Sequence, residues 1–222
     1  LHLMKRILEP ELMEDAEQVI AYAQADFEIP HNDFVQRIKT FVDDPTFNGK
    51  ALDLGCGPGD ISGRFAKAFP FCTIDAVDGS KPMLDYAANS IAPELQSRVN
   101  FIHGKLPDVL LPESSYDVIF SNSLLHHLPE PQTLWQTVNQ YAKPGTYIII
   151  MDLIRPDTPD IAKSMVTTYA HNEPEILQRD FYYSLLAAFS LAEIETQISE
   201  AGLPLTCGQI SDRHVFISGV IN

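Results

Sequence analysis

Leu52-Asp53-Leu54-Gly55-Cys56-Gly57-Pro58-Gly59-Asp60 is an apolar run broken by three closely spaced glycines, and an amphipathic segment, Ile61 to Phe69, follows at once. Strand, glycine-rich turn and helix in that order hold a nucleotide-type ligand at the carboxyl end of a parallel strand. Glycines let the backbone approach the ligand and adopt φ values closed to other residues. The spacing is Gly-x-Gly-x-Gly, and Asp60 stands where a dinucleotide fingerprint has its last glycine, which weakens a dehydrogenase reading. Such sites also use an acidic residue just ahead of the turn and a second one about 20 residues beyond it, at the end of the next strand. Asp53 and Asp78 fill those places.

Outward from this turn, strand-like and helix-like runs alternate: Ala51 to Leu54, Ile61 to Phe69, Cys72 to Val77, Pro82 to Asn89, Val99 to His103 and Tyr116 to Ser121. Short β-branched runs bounded by Gly, Pro and Asp, with amphipathic segments between them, predict a parallel sheet covered by helices on both faces. Gln132 to Tyr141 reads as a helix, Pro144-Gly145 as a turn, and Thr146 to Met151 as the most strand-like run present. A loop from Arg155 leads to helices that include Ile161 to His171 and Phe181 to Phe189, a helical insertion over about residues 156–190. Ala192 to Ala201 is a helix stopped by Gly202, and Leu205 to Ile210 with Val215 to Val220 form a closing antiparallel hairpin. Ahead of the core, Glu11 to Ala25 and Phe34 to Val42 carry helical periodicity, with Pro30 separating them. The organisation expected is an N-terminal helical extension or lid over 1–49 and one ligand-binding domain over 50–222.

At 222 residues and 45% hydrophobic, the chain suits a single domain with a sizeable core. Its formal charge of -15 disfavours a nucleic-acid partner, whose affinity comes mostly from phosphates neutralised by Lys and Arg. Cys56, Cys72 and Cys207 are an odd, scattered set without a CxxC pair, so neither disulfides nor zinc are indicated and a reducing cytoplasm is expected. HxxxH and HExxH spacings are missing too, so no metal is expected, although Asp152, His126 and His127 can converge in space. No apolar run reaches transmembrane length and the N-terminus lacks the pattern of a secretory signal, so no membrane partner is expected.

The segment Leu52 to Asp60, with Ala76-Val77-Asp78-Gly79-Ser80 and Ser121-Asn122-Ser123-Leu124-Leu125-His126-His127-Leu128, closely resembles the class I S-adenosylmethionine-dependent methyltransferases, in particular the type 11-like branch acting on small molecules. The resemblance runs from Lys50 to Ile154 and more weakly to the C-terminus. It implies an α/β, Rossmann-like, doubly wound sheet of seven mostly parallel strands, the last one antiparallel. It also implies S-adenosylmethionine as cofactor, with S-adenosylhomocysteine as product. Asp53, Gly55, Cys56, Gly57 and Gly59 would meet the methionine and ribose portions, and Asp78, followed by Gly79 and Ser80, would take both ribose hydroxyls. Met83 would lie by the adenine, or else be ordinary core. The family commonly carries Gly-Asp after its third strand, whereas this chain has Gly104-Lys105, which offers no acceptor. Adenine is then bordered by the backbone of Lys105 and Leu106. Asn122 and Ser123 would pass the methionine end.

Methyl transfer from a sulfonium needs alignment and exclusion of water more than covalent help. His126 and Asp152 are the candidate general bases, since imidazole titrates near neutrality. His126 and His127 are adjacent, so on a helix they point about 100° apart and only one can face the ligand. Asp152 and Arg155 together would grip a polar or anionic acceptor, with His127, Tyr182 and Tyr22 at its rim. Tyr22, with Phe27 and His31, either borders the ligand or simply covers the sheet. The expected activity is methyl transfer to an oxygen, nitrogen or carbon of a small molecule. The alternatives are a protein or RNA methyltransferase and a non-catalytic cofactor-binding module, and the oligomeric state, monomer or homodimer, stays open.

Overall fold

A computed structural model describes residues 3–9 and 15–222. Two helices, α1 (Ala16–Gln24) and α2 (Glu28–Val42), precede the alternating core of β1 (Lys50–Leu54), α3 (Asp60–Ala68), β2 (Thr73–Asp78), α4 (Lys81–Ser90), β3 (Val99–His103) and β4 (Tyr116–Asn122). Then come α5 (Gln132–Tyr141), β5 (Ala142–Leu153), three helices α6 (Pro159–Ala170), α7 (Glu175–Ala187) and α8 (Leu191–Ala201), and the hairpin β6 (Thr206–Gln209) and β7 (His214–Val220). The strand order is β3-β2-β1-β4-β5-β7-β6, with β7 antiparallel to both neighbours and the other strands running one way.

The side-chain period of two sorts each central strand between two apolar layers. Val118 and Phe120 of β4 pack with Phe34 and Ile38 of α2 and Phe65 of α3, whereas Ile119 points the other way, toward Leu134, Trp135 and Val138 of α5 and Ile194 and Ile198 of α8. Both faces are therefore dry, which is why these strands read as nearly continuous apolar runs. Inside the second layer the Trp135 indole donates to Gln197 Oε1 at 3.1 Å, giving a buried N–H its partner.

Three expectations need correction. Pro30 does not separate two helices but lies in the first turn of α2, where its missing N–H costs no helical bond; the break falls at Ala25 to Phe27. Pro144-Gly145 does not turn the chain into a new strand. β5 begins at Ala142, and these residues sit in an irregularity where the register jumps from Tyr116↔Ala142 to Val118↔Tyr147. α7 starts six residues before Phe181, at Glu175, and its first turns bury one apolar side chain, Leu177, among polar residues, too little to show as an apolar stripe. The N-terminal half of the first expected helix, residues 11–14, lies outside the described residues.

Residues 3–9 form an extended strap that no periodicity announced. Met4 N–H donates to Asp157 O and Ile7 N–H to Leu186 O, both at 3.0 Å. The Arg6 guanidinium donates to the carbonyls of Ala187, His126 and Leu128 and lies 3.9 Å from the centre of the Phe189 ring. Among the described residues, no helix is long and apolar enough to cross a membrane.

Phe120 joins the layers of the sheet most tightly: it is fully buried, stacks on Phe65 at 4.7 Å and meets Phe34 edge-on at 6.3 Å. Phe120→Ala is expected to lower unfolding stability by about 3 to 5 kcal/mol in urea titrations. A loss below about 1 kcal/mol would mean that the α2 and α3 layer collapses onto the vacated space at little cost.

Candidate active site

The glycine loop is fastened to the end of β2. Gly55 and Cys56 both donate to the Val77 carbonyl, at 2.8 and 2.9 Å, and Gly57 N–H donates to Asp78 Oδ2 at 2.9 Å. Gly59, at φ 84°, caps α3, and a Cβ there would press against Ala87 and Phe101 at 3.0 to 3.1 Å. A Cβ on Gly57 (φ 53°), by contrast, would meet nothing within 4 Å, so its bare face opens on free space.

That space is a cleft lined by Asp53, Gly55, Cys56, Gly57, Asp60 and Asn122, with Tyr22 and His31 from the two N-terminal helices, α1 and α2, which come down over it. Asp53, 3% exposed, accepts a bond from Ser62 Oγ at 2.5 Å. Burial pushes its carboxyl up to about 7, with a further push from the Asp78 charge, against the pull of the Ser62 bond. Asp78 accepts from the amides of Ser80 and Gly57, and burial still holds its pKa above the ordinary carboxylate value. Burial also raises the Tyr22 phenol, to about 12, with the charges of Asp78, Asp60 and Asp152 adding to it.

The cleft roof is tied to its floor by one carboxylate. His31 Nδ1 lies 2.5 Å from Asp60 Oδ2, which also accepts from Arg64 Nε at 2.7 Å, while Arg64 Nη1 donates to Asn32 Oδ1. Partial burial works against the Asp60 charge, yet His31 and Arg64 together hold its pKa down at about 2. The residue that breaks the dinucleotide pattern thus anchors α2 over the glycine loop.

A second cluster sits where β4 and β5 end. Asp152 accepts from the His126 N–H and the Leu153 N–H, both at 2.7 Å, and pairs with His126 Nδ1 at 2.6 Å. Glu9 of the strap brings its Oε1 to 3.3 Å from His126 Nε2, 3.2 Å from His127 Nδ1 and 3.0 Å from Ser184 Oγ. Burial opposes a charge on His126, but Asp152 and then Glu9 raise its pKa to about 9, and the same pairing lowers that of Asp152 against its own burial. Both ring nitrogens face carboxylates, Nδ1 toward Asp152 and Nε2 toward Glu9, and the ring is not among the residues that line the glycine-loop cleft, so His126 is not placed there as a free general base.

The fold brings Asp53, Gly55, Cys56, Gly57, Asn122 and Tyr22 to one cleft, with Asp78 joined to it through Gly57. Gly79 and Ser80 follow on the same edge: the Gly79 carbonyl lies 3.0 Å from His103 Nε2, and Ser80 caps α4. Ser123 takes φ 62° and donates to Met151 O, turning the chain away from β4. Met83 is buried on α4, Lys105 is exposed, and Leu106 packs partly against the core. His126 and His127 do not diverge as an α-helical reading requires. They lie on one 3₁₀ turn, Leu125–His127, with ring centres 4.0 Å apart, and both reach Glu9.

Arg155 also departs from expectation. Its donors go to Met4 O, Ala188 O and Glu193, so it braces the strap and the start of α8 and does not join Asp152 in a grip on a ligand. Tyr182 packs beside Tyr183 in the small cluster around Leu153 and Leu185, away from the cleft lining. Glu9 was missed altogether, because it belongs to no motif and gains its place only by a contact made across more than a hundred residues.

A family model described as a methyltransferase domain matches residues 52–148. A malonyl-[acyl-carrier protein] O-methyltransferase from Halalkalibacterium halodurans is 34% identical over 110 residues, 48% of this chain and 40% of the relative. A trans-aconitate 2-methyltransferase from Deinococcus radiodurans is 29% identical over 126 residues, 57% of this chain and 45% of the relative. The chain thus spans less than half the length of these two curated relatives. Among solved structures, the plantazolicin methyltransferase BpumL in complex with SAH superposes with a TM-score of 0.71 at 17% identity, over 93% of this chain and 90% of that one. A SAM-dependent methyltransferase from Aquifex aeolicus gives 0.67 at 17% identity, over 95% and 100%. These two likenesses establish the fold. With the sequence match covering the glycine-loop half of the sheet and the antiparallel β7 completing the other half, the chain carries a methyltransferase-domain match over residues 52–148 on a fold shared with solved S-adenosylmethionine-dependent methyltransferases.

Proposed function

We propose that this chain transfers the methyl group of S-adenosylmethionine to an oxygen, nitrogen or carbon atom of a small molecule. The observation that carries the reading is the pairing of Asp53 and Asp78 at the two ends of one open glycine loop. The open face of Gly57 and the two carboxyl groups fit the cofactor. Asp78 spends two acceptor positions on amides and keeps others for a vicinal diol. Asp53, buried and nearly neutral, suits a cationic amino group, which would favour its ionised form. Asn122, Ser123 and Cys56 border the methionine end, and Gly79, Ser80, Met83, Lys105 and Leu106 border the nucleoside end.

When bound, S-adenosylmethionine supplies a methyl already activated by its sulfonium charge. The protein's part is then to align the acceptor and keep the cleft dry. Tyr22 and His31, held over the cleft by the Asp60 tie, serve the second task. The small-molecule acceptor is supported by the charge of -15 and by the name of the trans-aconitate relative, while the malonyl-[acyl-carrier protein] relative is named for a small acyl group on a carrier. Free cysteines support a reducing, cytoplasmic setting.

Three measurements bear on this reading. Asp78→Ala should weaken S-adenosylhomocysteine binding by about 2 kcal/mol, roughly thirtyfold in Kd by calorimetry, and an unaltered Kd would remove Asp78 from the site. Between pH 3.8 and about 7 the folded chain holds a proton on Asp53 that the unfolded chain has lost, so this carboxyl favours the folded state in acid and stops doing so as pH rises through about 7. A ligand amino group beside it should therefore expel that proton: binding at pH 6 should release it and binding at pH 8.5 should not, as read from heats in buffers of different ionisation enthalpy. Equal proton release at both pH values would separate Asp53 from the ligand. Finally, labelled methyl from S-adenosylmethionine should enter the small-molecule fraction of a cell extract and fail to do so with Asp78→Ala. Label in protein or RNA would replace the acceptor class, and no label despite cofactor binding would favour a silent module.

A further inference from the structure

The Glu9, His126 and His127 cluster has a geometry that an ion pair alone does not require. Glu9 Oε1 is 3.3 Å from His126 Nε2 and 3.2 Å from His127 Nδ1, and all three donor atoms lie within 4.8 Å of one another. Ligands about 2.0 to 2.1 Å from a tetrahedral ion stand roughly 3.3 to 3.4 Å apart, so two of the three edges already have the length that a bound zinc-sized ion sets. Glu9 and His126 are almost wholly buried, and His127 is about three-quarters buried by its side chain. His126 Nε2 is shielded from solvent and, despite its nearness to Glu9, makes no well-aligned hydrogen bond, which is costly for a buried polar nitrogen.

We infer that Glu9, His126 and His127 form a binding site for a divalent first-row transition-metal ion, zinc foremost, with a fourth coordination position left open. The donor set fits that class, since two imidazoles and one carboxylate are borderline ligands, neither the thiolates of a closed structural site nor the oxygen cage of calcium or magnesium. The arrangement behind the ligands fits as well. Asp152 holds His126 through Nδ1 at 2.6 Å and through the backbone amide at 2.7 Å, the carboxylate-to-histidine support that fixes which ring nitrogen faces a metal. Ser184 Oγ, 3.0 Å from Glu9 Oε1, orients the third ligand in the same way.

The location gives the site a use. His126 and His127 follow β4 and Asp152 ends β5, at the carboxyl edge where the glycine loop lies, and the Asp152 charge is felt by Tyr22 on the cleft wall. An open position there would take an oxygen or nitrogen of the acceptor and lower its pKa. An ion would also fasten the strap to the sheet, so that residues 3–9 depend on it for part of their hold. The competing arrangement is the metal-free one, in which a proton on His126 takes the ion's place between the two carboxylates.

The test uses the full chain, stripped with a chelator and titrated with zinc chloride against a chromogenic competitor. The expected result is one equivalent bound, with a raised melting temperature. Glu9→Gln, close in shape, and His127→Ala should each weaken binding about tenfold or more, and Asp152→Asn should weaken it by a similar factor through His126. Circular dichroism checks that each variant is folded. Cobalt substitution adds a readout independent of activity: visible d–d bands of a tetrahedral centre in the parent chain, lost in His127→Ala. Absence of stoichiometric binding, or stoichiometric binding that Glu9→Gln and His127→Ala leave unchanged, would overturn the assignment and leave the cluster as a proton-bridged ion network.

Discussion

The carbonyl of Val77 accepts two consecutive amides, those of Gly55 and Cys56, and the shape of the ligand cleft depends on that fork. It bends the chain leaving β1 toward the end of β2, so that the next amide, Gly57, meets Asp78. Two carboxyl groups separated by 25 positions are thereby set at the ends of one loop. The loop can take this path because its residues tolerate positive φ, at 76°, 53° and 84° for Gly55, Gly57 and Gly59. Each amide spent on fixing the loop is one not left orphaned beneath a ligand.

Above this floor the site is closed by long-range polar ties. His31 to Asp60 holds α2 down, and the strap is held by Arg6 and Arg155 on main-chain carbonyls and by Glu9 on the histidine pair. None of these ties lies in the dry layers between sheet and helices, where Phe120 and Trp135 make the core. Core and closure are energetically distinct parts: burial secures the sheet regardless of pH, whereas the ties depend on ionised partners. In this chain, then, the sheet presents the loop and the parts outside it close the cleft and hold the strap, consistent with fold and site being carried by different residues.

Much of this was legible in the residues. Short β-branched runs bounded by Gly, Pro and Asp place β1, β2, β3 and β4 within a residue or so, and Gly202 marks the end of α8, where it takes a φ of 66°. Asp53, Gly57 and Asn122 line one cleft because each sits at or just past the end of a strand, where the chain opens onto the carboxyl edge of the sheet. Arg155 was misjudged for the opposite reason. Its position at the end of β5 suggested the cleft, but a guanidinium goes where carbonyls need donors, and those of Met4 and Ala188 lie on the other side.

The sequence by itself determined the α/β order, the ligand loop and its paired acids, since these follow from local spacing and from the alternation that burial imposes on strands. Only the tertiary structure decided which distant groups meet around the cleft and the strap: Glu9 with His126 and His127, His31 with Asp60, Tyr22 and Asn122 in one cleft lining. Each of those meetings joins segments far apart in the chain, and no local pattern records them. Their partners are chosen by charge and hydrogen-bond geometry in folded space, where a carboxylate buried near two imidazoles has a meaning that its neighbours in sequence do not give it.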